Sequence, residues 1–166
     1  MTLDDLNHLD RQTRFDIFLA CCHCKRWAQD MSKASPFDSA SSLKEQALAF
    51  WQSSSEAERL EAFSGHPQIG DMDALRNKYA KDANREQGQI VEAEDETLLA
   101  LRDGNQHYLE RYGFIFIVCA TGKSASEMLI LLRNRISNNR TLELDNAAVE
   151  QGKITQLRLA NLLQAK

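Results

Sequence analysis

The sequence predicts an all-α fold: a single-domain helical bundle over residues 1–166, with one short extended segment near its candidate active site. Three observations predict it. Two prolines and seven glycines in 166 residues leave room for long, uninterrupted elements. Hydrophobic residues make up 43% of the chain, enough for one packed core. Apolar residues recur at helical spacing everywhere except in one stretch.

The elements follow in chain order. "KASPFDSASS", residues 33–42, reads as a loop between helices. In "SASSLKEQALAFWQSSS", Leu43, Ala47, Phe50 and Trp51 fall at i, i+4, i+7 and i+8, one helical face. The next helix must stop near Phe63. His66 precedes Pro67, and a residue before proline is pushed out of the α region. In "EDETLLALRDGNQHYLERYG", Leu98, Leu101, Tyr108 and Tyr112 share one stripe, and Gly113 supplies a helix stop. "SASEMLILLRNRI" opens with Ser124 and Glu127 as a capping box, and Met128, Leu131, Leu132 and Ile136 follow at helical spacing. The tail "NAAVEQGKITQLRLANLLQ" sets Ile154, Leu157 and Leu162 on a broad apolar face. Such stripes face a core.

The exception is "GFIFIVCATG", residues 113–122, which is β-branched and aromatic with glycine near each end. It reads as extended, and no other run matches it to complete a sheet. Its N–H and C=O groups therefore need partners other than a ladder: side chains, water or a bound polar ligand.

Composition excludes several classes of function. A net charge of −4 and a pI near 5.6 advertise no basic surface for nucleic acid. The longest apolar run, Phe114 to Ala120, is far too short to span a bilayer. "MTLDDLNHLD" lacks the basic-then-apolar order of a signal peptide, so a soluble intracellular protein is expected. Three of the four cysteines crowd into "CCHC", residues 21–24, which suits reduced thiols rather than a disulfide framework. A zinc site there is not expected. No second ligand pair exists, and adjacent residues on a helix point about 100° apart.

Three places carry candidate chemistry. In "FSGHPQIGD", Pro67 narrows the backbone of His66, and Gly65 permits close approach just before it. A fixed imidazole suits proton transfer near neutral pH, although a histidine that merely follows a helix end would look the same. In "ANREQGQ", Glu86 and Gln87 place a carboxylate beside a carboxamide, a set that matches a ureido or amide edge but also an ordinary solvated helix face. Arg158 stands among leucines, so it either snorkels to solvent or turns inward to an anion. Arg26, Arg133 and Arg135 compete for that role.

Together "CCHCKRWAQDM", "EAFSGHPQIGD", "REQ", "YLERYGFIFIVCATG" and "ILLRNRISNN…E…A…KITQLRLANLL" resemble the 2-oxo-4-hydroxy-4-carboxy-5-ureidoimidazoline (OHCU) decarboxylases of uric acid breakdown. The likeness runs from about Phe15 to Leu163. It implies an all-helical enzyme that needs neither cofactor nor metal and converts OHCU into (S)-allantoin and carbon dioxide. It implies catalytic roles for His66 and Glu86, and substrate contacts from Pro67, Gln87, Arg158 and the backbone of Ile117, Val118, Cys119 and Ala120. Ala83 stands where many members have serine, so one hydroxyl contact is either missing or taken over by Asn84. The resemblance also implies a small-molecule substrate with no nucleic-acid or membrane partner, and homodimers are frequent among such proteins. The chain ends "LLQAK", without a peroxisomal Ser-Lys-Leu type signal, so a cytoplasmic, bacterial setting is expected. Two rival readings stand beside this one: a helical hydrolase of a cyclic ureide, and a non-enzymatic helical adaptor.

Overall fold

A computed structural model describes residues 1–68, 71–79 and 88–164, the stretch 88–94 as backbone. The described residues form helices and no strand: α1 (Leu3–His8), α2 (Arg11–Cys21), α3 (Lys25–Ala34), α4 (Ala40–Gln52), α5 (Glu56–Ser64), α6 (Met72–Tyr79), α7 (Gly88–Tyr112), α8 (Ala125–Arg135) and α9 (Arg140–Gln164). None of them is long and apolar enough to cross a membrane. Local chemistry sets their starts. Thr2, Ser39, Ser55 and Ser124 each close a capping box, satisfying amide groups that a helix start leaves unpaired. The box expected at Ser124 is present, with Glu127 N donating to Ser124 Oγ at 3.2 Å and Ser124 N to Glu127 Oε2 at 3.1 Å.

The chain divides into two compact units. The first holds Met1–His66, Ile117–Cys119 and Ala147–Lys166; the second holds Pro67–Phe116 and Ala120–Asn146. In the first, α3 packs on both α2 and α4. Its core includes Leu6, Phe18, Trp27, Met31, Leu43, Trp51 and Leu159, all 5% exposed or less. Phe18 and Trp27 meet edge to face with ring centroids 6.0 Å apart. Both indoles find a carbonyl: Trp27 Nε1 donates to Ala47 O at 2.9 Å and Trp51 Nε1 to Ala148 O at 2.8 Å. These bonds tie α4 to α3 on one side and to α9 on the other.

In the second unit α7 packs against α8 and α6. Gly104 sits inside α7 because a Cβ there would lie 2.2 Å from Leu132 Cδ2 of α8. Tyr108, Tyr112, Phe114 and Phe116 form an aromatic cluster. Beside it Glu143, fully buried, accepts from Tyr108 Oη at 2.6 Å, Arg135 Nε at 2.7 Å, Asn146 Nδ2 at 2.8 Å and Asn138 Nδ2 at 3.0 Å. Desolvation acts to raise the Glu143 carboxyl, but this ring of donors outweighs it and holds the group below the usual carboxylate range.

Residues 115–120 are neither helix nor strand, as expected of the extended segment. Gly113 (φ 79°) and Gly122 (φ 74°) bracket it in the left-handed region, where a side chain would be strained. Phe114, Phe116 and Ile117 bury their side chains; Val118, Cys119 and Ala120 are half-buried.

Three sequence expectations need correction. The buried face of α9 runs through Ala147, Ala148, Gln151, Gly152, Thr155 and Leu159, while Ile154 and Leu162 are half-buried and Leu157 is 39% exposed. Ile154, Leu157 and Leu162 do not mark the inner face of α9, because small and polar residues share it with Leu144 and Leu159. On α8, Leu129 is buried and Leu131 half-buried. Finally, "CCHC" is not one helical turn: α2 ends at Cys21, Cys22 is its extended cap, and Cys24 caps the start of α3.

Candidate active site

His66 lies one residue past the cap of α5. The helix ends at Ser64, and the amides of Gly65 and His66 close it by donating to Ala62 O and Phe63 O, each at 3.2 Å. Gly65 has an ordinary φ of −76°, so no left-handed turn demands a glycine. Space demands it: a Cβ on Gly65 would lie 2.3 Å from His23 Cβ. The close approach expected at Gly65 is therefore real, and the neighbour is the histidine of "CCHC".

The imidazole of His66 is half-buried, with Nε2 2.5 Å from Gln151 Oε1. Gln151 is fully buried in α9, and its Nε2 donates to Thr155 Oγ1 at 3.2 Å. Arg158 follows on the same helix, so Gln151, Thr155 and Arg158 stand at i, i+4 and i+7, along one face. Arg158 Nη1 donates to the carbonyl of Cys21 at 3.0 Å. That carbonyl closes α2, whose last turn contains no basic residue, so Arg158 supplies the cation that the negative end of a helix favours.

Electrostatics sharpen the picture. Burial holds the His66 imidazole below the ordinary histidine range; the Gln151 hydrogen bond opposes this, and the charge of Arg158 adds to it. The ring is thus neutral at neutral pH. Burial pushes the Cys22 thiol up to about 12 and raises Cys21 and Cys24 as well. Such thiols are neither nucleophiles nor ready metal ligands. Among the described residues no three His, Cys, Asp or Glu side chains come together as a metal site.

The other expected site residues fall out as follows. Ile117, Val118 and Cys119 belong to the same unit as His66 and Arg158, and Pro67, which is exposed, and Ala120 belong to the second. Ala83, Asn84, Glu86 and Gln87 lie outside the described residues. Of the competing arginines, Arg26 is held by Asp30 at 2.7 Å and Glu58 at 2.9 Å, and Arg135 by Glu143 at 2.7 Å. Arg133 is exposed on α8, and Arg158 is likewise exposed on α9, its guanidinium held by the Cys21 carbonyl. Among the described residues, Arg158 is the cation whose charge reaches His66. Sequence reasoning missed Gln151 and Thr155. Their signal was present: two uncharged polar residues in helical phase with Arg158.

Comparison with known proteins gives a consistent result. A family model described as OHCU decarboxylase matches residues 7–160, across both units. The chain is 34% identical over 154 residues to the uric acid degradation bifunctional protein TTL of Arabidopsis thaliana, covering 91% of this chain and 48% of that protein. It is 26% identical over 164 residues to the 2-oxo-4-hydroxy-4-carboxy-5-ureidoimidazoline decarboxylase of Halalkalicoccus jeotgali, covering 98% and 92%. It thus spans about half the length of the plant relative, and 33% of the bifunctional protein PucL of Bacillus subtilis. A crystal structure of OHCU decarboxylase in the presence of (S)-allantoin superposes with a TM-score of 0.75 at 33% identity, covering 90% of this chain and 99% of that one.

Proposed function

This chain belongs to the OHCU decarboxylase family, and from that membership we propose that it decarboxylates 2-oxo-4-hydroxy-4-carboxy-5-ureidoimidazoline to (S)-allantoin in uric acid degradation. One observation carries the reading for this chain: a neutral imidazole, His66, anchored to a buried carboxamide with the charge of Arg158 in reach. The leaving carboxylate of this substrate sits on a carbon next to a ring C=N, and that C=N accepts the electron pair as carbon dioxide departs. The substrate thus supplies its own electron sink, and the protein's tasks are orientation, charge stabilisation and control of one proton. His66 manages that proton, a kind of help typically worth ~10²–10⁴-fold. Arg158 holds an anionic or carbonyl oxygen with the donors that Cys21 does not take. Glu86 and Gln87 hold the ureido or ring amide groups, and Pro67 and the backbone of residues 117–120 supply further substrate contacts. Delivery of the proton to one face sets the (S) configuration.

In this reading one domain over residues 1–166 works in the cytoplasm as a homodimer, on a small molecule and without a cofactor. The test makes OHCU freshly from urate and follows the circular dichroism of the allantoin formed. Uncatalysed decay yields racemic product, so enantiomeric excess is the readout. Racemic allantoin in the presence of this protein would refute the assignment. Chelation with EDTA and dialysis should leave the enantiomeric excess unchanged; activity that returned on addition of zinc would refute the cofactor-free mechanism.

A further inference from the structure

The mechanism above uses His66 but leaves unexplained the fully buried carboxamide against it. A buried amide must have its donors and acceptor matched, so the contacts of Gln151 carry information about proton positions. Gln151 Oε1 lies 2.5 Å from His66 Nε2, and Gln151 Nε2 lies 3.2 Å from Thr155 Oγ1. The Thr155 oxygen accepts from the Gln151 amide, which turns the Gln151 carbonyl oxygen toward His66. At that distance a carbonyl oxygen needs an N–H opposite it, because two facing lone pairs would repel.

We infer that Gln151 is the positioning residue for His66: it holds the imidazole as the Nε2–H tautomer, so that Nδ1 carries the lone pair that meets the substrate's proton. An acceptor facing one ring nitrogen keeps the proton on that nitrogen and leaves the lone pair to the other. A carboxylate in place of Gln151 would favour the imidazolium; a carboxamide orients the ring and leaves it neutral. Among the described residues the charge acting on this pair is that of Arg158, which also disfavours the imidazolium. The catalytic consequence rests on the decarboxylase reading; the tautomer does not.

The experiment records long-range ¹H–¹⁵N correlations of the histidine rings in ¹⁵N-labelled full-length protein, with His66→Asn identifying the His66 signals among the four histidines. The wild type should show a protonated Nε2 and a pyridine-like Nδ1. Gln151→Leu should mix the tautomers and lower kcat by ~10- to 100-fold, the size of effect known for partners that orient metal-bound histidines, with KM little changed because Gln151 does not touch substrate. Gln151→Glu should raise the His66 pKa, so the acid limb of the kcat/KM profile moves to higher pH. A residue 151 out of contact with His66 would not move that limb. A protonated Nδ1 in the wild type would overturn the inference, as would an unmoved limb in a well-folded Gln151→Glu. If Gln151→Leu does not fold, the wild-type spectrum and Gln151→Glu still decide. Racemic allantoin from the wild type would refute the decarboxylase reading while leaving the tautomer result intact.

Discussion

His66 and Arg158 lie close enough for one to alter the other's chemistry, and their substitutions should separate cleanly. His66→Ala should remove most of the rate and the stereochemical bias while lowering the melting temperature without unfolding the protein, because a half-buried loop side chain carries little of the core but buried Gln151 loses its partner. Wild-type kinetics in that variant would exclude the proposed role. A pH effect follows from the lowered imidazole pKa. Below the unfolded value of 6.5 the unfolded chain takes up a proton before the folded one does, so stability falls with pH from 6.5 down to the folded pKa and levels off beneath it. Melting temperatures across that window should show this loss in the wild type and less of it in His66→Asn. For Arg158, lysine keeps the charge but loses the planar fork. Loss of one charged hydrogen bond costs roughly 1.5–3 kcal/mol, hence ~10- to 150-fold in kcat/KM. Arg158→Gln should do at least as badly, and it should also lower the melting temperature, because α2 loses the cation at its C-terminal end. Normal turnover in both variants, with a lower melting temperature in the glutamine one, would reduce Arg158 to a helix cap.

Elements were more legible than the polar contacts between them. Ser124 and Glu127 announce the start of α8 because a capping box is local chemistry, complete within four residues. Gly113 announces the end of α7 for the same reason. The inner face of α9 was not legible from its leucines. Leu157 points outward, and the inner face holds Gln151, Gly152 and Thr155, the first two set by something distant: His66, and the ring of Trp51 3.3 Å from the place of a Gly152 Cβ. Hydrophobic periodicity cannot register a face built from small and polar groups. Gly65 shows the same division. Its place beside His66 was visible in the sequence, but its cause, the approach of His23, was not. Gly65→Ala should therefore force the α5 cap away from the end of α2, costing roughly 1–3 kcal/mol as overpacking does, and should lower kcat by displacing His66. Because the clash is with His23 Cβ, His23→Ala would not relieve it and His23→Gly would. In a double-mutant cycle by urea denaturation, Gly65→Ala should cost less in the His23→Gly background; equal costs in both would exclude this contact as the cause.

At the scale of the whole chain the division into two units raises the question of whether one cooperative domain unfolds or two. Chain connectivity argues for one. The chain passes between units at 66/67, 116/117, 119/120 and 146/147, so the first unit is built from three separate segments and neither unit is a continuous piece. A contact that fixes the second unit also fixes the ends of segments the first must assemble. The tryptophans allow a direct test, because Trp27 and Trp51 both lie in the first unit and their fluorescence reports on it. Glu143 lies in the second unit, fully buried against Arg135, whose side chain is 12% exposed. Glu143→Leu leaves that guanidinium without its carboxylate, and breaking a buried pair by removing one partner costs about 3–5 kcal/mol. If the 166 residues unfold as one domain, the urea midpoint read by tryptophan fluorescence should fall by the whole of that cost divided by the m-value, in step with far-ultraviolet circular dichroism. If the units unfold separately, fluorescence should keep the wild-type midpoint while circular dichroism splits into two transitions. The same variant should keep its enantiomeric excess below the transition, because Glu143 takes no part in the proposed chemistry.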